Sequence, residues 1–323
     1  MQHFRSIHYL RGVAAVMVVI FHLFSSIDVM REDISRVMWL RGGVDIFFVI
    51  SGFVMVKSTT GREVTPIKFI QQRALRIAPM YWIATFAVMM QIQGEWLFKL
   101  QSLLFIPAMN PESDMMQPVL EPGWTLNYEM FFYAVFALTL VLRQSIRFPA
   151  IAILFIGLAI LGATLDGSAI SEFYTRAIIV EFVFGMAIAQ FGLRLPVLAV
   201  PFGIGIMIAL QSSSVDRLFA LGIPASLVIA GALSFENRLP KWKIAEFLGS
   251  ASYAIYLFHL LALGFIVKFW PIANPTKIQF AFVSFGFMIL TGCAVYWWIE
   301  RPLTTLIAGF TRKPKADRLT AAA

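Results

Sequence analysis

Residues 11–24 read Arg11-Gly-Val-Ala-Ala-Val-Met-Val-Val-Ile-Phe-His22-Leu-Phe24. Between the arginine and the imidazole there is no polar side chain. Taken outward to 9–27, the run is long enough to cross a hydrocarbon core ~30 Å thick as a helix. A basic start followed by an apolar run has the outline of a signal peptide. No small-residue cleavage site follows, so we read the segment as a retained first helix.

The rest of the chain extends this reading. Of its 323 residues, 59% are hydrophobic and only 14% charged, and the mean hydropathy is +0.78. A soluble domain of this size cannot hide so much apolar surface, and a disordered chain would not carry it. The expected fold class is an all-α integral membrane protein with about ten transmembrane helices. The expected spans are 9–27, 38–56, 78–92, 124–142, 148–164, 176–191, 196–212, 217–234, 250–269 and 278–299. Two connections exceed a turn: 57–77, basic and amphipathic, and 93–123, rich in proline.

The formal net charge is +8. In a soluble chain that would suggest nucleic acid; here it is assigned to positive-inside bias and site cations, with no nucleic-acid partner. Placing the N-terminus inside puts 18 of the 26 basic residues on the cytoplasmic side. Both termini are then cytoplasmic, and a short basic tail, 311–323, follows a membrane domain spanning 1–310. One cysteine, Cys293, excludes a disulfide framework, and no histidine pair has metal-ligand spacing, so no metal is expected.

Ionisable groups at membrane depth are costly and mark function. Arg11 and His22 are eleven residues apart, close to three turns, and so share a helix face about 16 Å apart. Counting down from the outer helix ends places His22, Asp45 and Glu129 in one layer, with Glu181 at a comparable depth. Imidazole with carboxylate is the pairing of general base catalysis. Blander readings stand beside it: His22 as an interhelical hydrogen-bond partner, Asp45 as a cap or a partner of Arg41, Glu129 as a structural acceptor, His259 as a packing residue. Arg73 and Arg76 are spaced i, i+3 and suit a phosphate, or an anionic lipid. Ser51-Gly52 permits close helix approach. The aromatic stretch from Gly123 to Tyr133 reads as an interfacial belt or a sugar-binding rim.

In order along the chain come Arg11-x10-His22, Asp45-Ile-Phe-Phe-Val-Ile-Ser-Gly-Phe53, Arg73-x-x-Arg76-x-x-Pro79-x-Tyr81, Gly123-Trp-Thr-Leu-Asn-Tyr-Glu129, Gly249-Ser-Ala-Ser-Tyr253-x-x-Tyr256-Leu-Phe-His259 and Glu300-Arg-Pro302. Together they resemble membrane acyltransferase family 3, whose members O-acylate carbohydrates, and most of all its exopolysaccharide (succinoglycan-type) branch. Thr125 stands where that pattern usually has serine. The resemblance implies a multi-pass protein of the bacterial inner membrane that uses acetyl-CoA as acyl donor. The acceptor would be a hydroxyl of an exopolysaccharide or of its lipid-linked repeat unit. It implies Arg11, Arg73, Arg76 and Tyr81 at the donor, and His22 as general base or transient acyl carrier with Asp45 and Glu129. Trp124, Asn127, Tyr128, Glu181 and His259 would meet the acceptor. The competing readings are another glycan or a small molecule as acceptor, a succinyl donor, or a proton-coupled transporter of an acylated sugar. The missing internal repeat weighs against the last.

Overall fold

The computed structural model describes residues 4–25, 33–91, 95–269 and 276–311. Among these the secondary structure is helical, joined by turns and irregular segments such as 104–120, with one isolated bridge between Met109 and Met116. In order the helices are α1 (Arg5–Ser25), α2 (Gly42–Thr59), α3 (Pro66–Met89), α4 (Trp96–Leu103), α5 (Trp124–Thr139), α6 (Gln144–Thr164) and α7 (Ala169–Thr175). There follow α8 (Val180–Phe191), α9 (Ala199–Leu210), α10 (Ile223–Ala232), α11 (Lys243–Phe269), α12 (Lys277–Val295) and α13 (Arg301–Thr311). The basic tail beyond Thr311, like Asp28, Arg31 and Glu32, lies outside the described residues.

Six helical stretches among the described residues are long and apolar enough to cross a membrane: Arg5–Ser25, Met38–Thr59, Gln144–Thr164, Leu218–Phe235, Lys243–Phe269 and Lys277–Gly309. The other four expected spans are helical too, but shorter or less apolar. The third differs most. A single helix starts at Pro66, with Thr65 Oγ1 accepting the Lys68 N–H at 3.3 Å. Proline at the first helical position and threonine as cap both favour a start there. The segment expected as a cytoplasmic connection is therefore mostly helix, and Arg73 and Arg76 sit on it.

Helix α2 is the hub. Thirteen of its residues between Gly42 and Val56 are buried, and it packs on α1, α8 and α10. Its crossing with α8 depends on two glycines. A Cβ at Gly52 would lie 2.0 Å from the Phe182 carbonyl oxygen, and one at Gly185 would lie 1.8 Å from that of Val49. This is the close approach that Ser51-Gly52 led us to expect. Without water to drive helices together, such backbone contact supplies the dispersion energy that does. Helix α1 crosses α11 in the same way, at Gly12 and Gly249. The outward faces of α6 and α12 expose Ile153, Ile160, Phe282 and Leu290, as lipid-facing helices do.

Candidate active site

A cavity of about 300 Å³ lies between α1, α2, α3, α5 and α11. On α2 its lining extends from Val44 to Lys57, about 20 Å of helix. One end is basic: Lys57, Arg73 and Arg76 meet His8 and Arg11 there. Arg73 and Arg76 thus face the same space, as their spacing predicts. The Arg73 guanidinium stands 5.4 Å from the Phe69 ring, and its buried Nε has no hydrogen-bond partner among the described residues. Arg11 is near enough to the carboxylates of Glu129 and Glu300 and to the guanidinium of Arg76 to interact with each. Tyr253 closes the wall, its hydroxyl donating to the Ile77 carbonyl at 2.7 Å, which ties α11 to α3.

Glu129 lies in the middle of the cavity wall. Ser51 Oγ donates to it at 3.0 Å, and the Tyr133 hydroxyl donates to the same oxygen. Ser51 is six residues beyond Asp45, about 9 Å further along α2. The single layer expected for His22, Asp45 and Glu129 therefore splits. The count went wrong because it took Trp124 as the surface, whereas Pro122 and Gly123 just before it are already buried. The Tyr256 hydroxyl donates to the Pro122 carbonyl at 3.0 Å and lies 2.8 Å from Thr125 Oγ1. Helix α5 starts inside the bundle, so Glu129 sits deeper than counted.

The other end of the lining reaches Phe47, Thr125 and Tyr256. The Tyr256 ring is 6.0 Å from that of His259, and His259 is 4.8 Å from His22. Their hydrogen bonds set both tautomers of the neutral pair. His259 Nδ1 is 2.7 Å from the Tyr256 carbonyl, which can only accept, so Nδ1 carries the hydrogen. His259 Nε2 is then an acceptor. It faces His22 Nδ1 at 3.2 Å, and that nitrogen is also 3.0 Å from the Val18 carbonyl. Both neighbours require a hydrogen on His22 Nδ1. The lone pair of His22 is consequently on Nε2, the arrangement of a base oriented by a partner. The partner here is an imidazole; neither Asp45 nor Glu129 hydrogen-bonds His22 among the described residues.

Asp45 is fully buried and held by Arg217, which donates from Nε to Oδ1 at 3.1 Å and from Nη2 to Oδ2 at 2.7 Å. Glu181 is buried beside this pair, its oxygens in no hydrogen bond of standard geometry. Of the expected site residues, Arg11, Arg73, Arg76 and Glu129 line the first cavity, and His22, His259, Asp45, Glu181, Tyr81, Asn127, Trp124 and Tyr128 do not. Tyr81 is buried, stacks on Phe105 at 4.5 Å and donates to the Ser102 carbonyl at 2.9 Å, which anchors the 96–123 segment. Asn127 is buried with both amide atoms unpartnered among the described residues. Trp124 and Tyr128 line a second cavity with Arg41, Arg176 and Arg217.

The residues the sequence did not single out are Lys57, Tyr133 and Tyr256. Tyr133 carried a usable signal: it follows Glu129 by four positions and so shares its helix face. Tyr256 likewise precedes His259 by three. Lys57 carried none beyond its place at a helix end.

A half-buried histidine oriented by a second imidazole, one ring beyond the end of a cavity with a basic mouth, suits a group-transfer site, and comparison with known proteins agrees. Residues 4–299 match the acyltransferase domain of membrane acyltransferase family 3, and the chain belongs to that family. More particularly, it is similar to the exopolysaccharide production protein ExoZ of Rhizobium meliloti (strain 1021). The two are 39% identical over 305 residues, covering 86% of this chain and 92% of that protein. No solved structure matches the chain.

Proposed function

We propose that this membrane acyltransferase moves an acetyl group from cytoplasmic acetyl-CoA to a sugar hydroxyl of an exopolysaccharide or its lipid-linked repeat unit. The observation that carries the reading is the cavity itself, basic at one end and walled at the other by Tyr256, behind which His259 and then His22 lie. The relative's name supplies the acceptor class. Lys57, Arg73 and Arg76 form the mouth, on the side that the distribution of basic residues makes cytoplasmic. Guanidinia at the mouth grip the phosphates of the donor. Its uncharged pantetheine arm then occupies the apolar stretch past Phe47 and Phe48, bringing the thioester toward the histidines.

His22 Nε2 takes the proton of the acceptor hydroxyl as that oxygen attacks the thioester carbonyl. The tetrahedral adduct collapses, the C–S bond breaks, and the CoA sulfur leaves as thiolate and collects the proton from Nε2. The His22 Nδ1–H stays bonded to His259 Nε2 and Val18 O throughout, which holds the ring and spreads the transient positive charge. The test uses membranes bearing the wild-type chain or His22→Ala, supplied with radiolabelled acetyl-CoA and lipid-linked glycans. Label on glycan with wild type alone supports the reading. Equal label with His22→Ala removes His22 from the chemistry.

A further inference from the structure

Resting on that acyl-transfer reading, we infer that the second cavity binds an anionic group of the acceptor and so holds the sugar chain in register with His22. This cavity measures about 380 Å³ and is lined by Arg41, Arg176, Arg217, Trp124 and Tyr128, with Asp216 and α6 completing it. The count of loop charges leaves only eight basic residues for the outer side, and three of them converge here.

The carboxylates nearby offset only part of this charge. Asp45 engages Arg217 through Nε and Nη2, which leaves Nη1 as the nitrogen it does not use. Asp216 Oδ1 accepts the Leu218 N–H at 2.8 Å, capping the turn that begins the next helix. Neither Arg41 nor Arg176 forms an ion pair among the described residues. A guanidinium cluster around a cavity suits a diphosphate or a carboxylate, which it can hold bidentately. Trp124 and Tyr128 add aromatic faces of the kind that pack on a sugar ring. Tyr128 is fixed there, its hydroxyl donating to the Phe173 carbonyl at 2.6 Å and its ring stacked on Phe173 at 4.0 Å.

The cavity is also in the right place. The Arg41 guanidinium lies 6.0 Å from the Phe21 ring, and Phe21 sits edge-on to His22 at 5.2 Å. An anion held by Arg41 is thus two ring contacts from the base. Trp124 borders this cavity, while its neighbour Thr125 borders the donor cavity. The two spaces flank the start of α5.

The shared chemistry is an anion joined to a carbohydrate. Its source is either the diphosphate of a lipid carrier or a carboxylate on the glycan. The test measures equilibrium binding to the full chain in phosphatidylcholine nanodiscs, with geranylgeranyl diphosphate and methyl glucuronide as probes. Arg41→Gln and Arg176→Gln are compared with wild type, and CoA binding is measured on the same samples. Saturable binding of either probe, weakened about tenfold by each substitution while CoA binding is unchanged, supports the inference. The probe that binds then identifies the source. Binding of neither probe overturns it, as does binding that ignores both arginines. Displacement by phosphatidylglycerol added to the nanodisc also overturns it, by assigning the cavity to bulk lipid. Failure of CoA binding with probe binding intact would instead count against the acyl-CoA reading alone.

Discussion

Replacing His259 by leucine tests the tautomer argument directly. The side chain is fully buried, and leucine keeps it apolar at similar volume. The substitution removes one of the two acceptors on His22 Nδ1–H and leaves the Val18 carbonyl, at 3.0 Å, to hold the ring alone. In the ground state the lost bond is between neutral groups, contributing about 1 kcal/mol net. Once Nε2 has taken a proton the donor is an imidazolium, and such a bond contributes roughly 1.5–3 kcal/mol. The difference, together with the loosened tautomer, amounts to about 2 kcal/mol of barrier, or about thirtyfold in kcat. By contrast, removing the base itself in His22→Ala should cost roughly 10²–10⁴. Glutamine at 259 carries an oxygen that can accept from Nδ1, so His259→Gln should recover part of the loss. The assay is steady-state acetyl transfer in membranes normalised to folded protein, with the KM for acetyl-CoA expected to stay level. A full-rate His259→Leu enzyme would refute the orienting role. A loss equal to that of His22→Ala would make His259 the base.

At the mouth, Arg73→Gln and Arg76→Gln should each raise the acetyl-CoA KM about tenfold or more with little change in kcat, because each removes charge-assisted bonds to phosphate; CoA titration calorimetry checks it. Gly185→Ala puts a methyl where the Val49 carbonyl stands and should destabilise the bundle by about 1–3 kcal/mol or more, while Gly205→Ala, with open space around it, should leave the melting temperature unchanged. Asp45→Asn strands a largely buried Arg217 and should cost about 3 kcal/mol of stability; the Asp45→Asn/Arg217→Gln double variant should regain part of it, measured by thermal unfolding in detergent.

Local features of the chain were readable and distant pairings were not. Six of the expected spans coincide with long apolar helices, because apolar length alone decides them. The third span was misplaced although Thr65-Pro66 spells a helix start, because hydropathy outweighed capping in drawing its limits. The spacing of Arg73 and Arg76 was enough to put them on one face. Asp45 was recognised as buried, but its partner is 172 positions away on another helix. Arg41, a turn from Asp45, was the partner the sequence offered. His259 was visible as a buried imidazole; that it faces His22 depends on how α11 packs on α1 across Gly12 and Gly249. Depth counted from helix ends assumes that every helix starts at the surface, and α5 does not.

The way charges are paired also bears on the mechanism. Asp45 sits with Arg217 and beside the buried Glu181, Glu129 with Ser51 and Tyr133 and near Arg11, Glu300 near Arg11 and Arg76, and Asp216 accepts the Leu218 N–H. Among the described residues none of these hydrogen-bonds His22, whose Nδ1 meets only a neutral imidazole and a carbonyl. A base so placed can carry a proton briefly but is a poor site for a persistent charge in a low-dielectric interior. This favours one concerted exchange, in which the acceptor hydroxyl and the thioester are both present before the proton moves. On the proposed mechanism the donor would wait with its acyl end beside Tyr256 until the acceptor is seated. An enzyme working this way should hydrolyse acetyl-CoA very slowly when no glycan is supplied. Rapid acceptor-free release of CoA, or a labelled acyl-protein trapped by acid quench, would show that His22 accepts the acyl group itself.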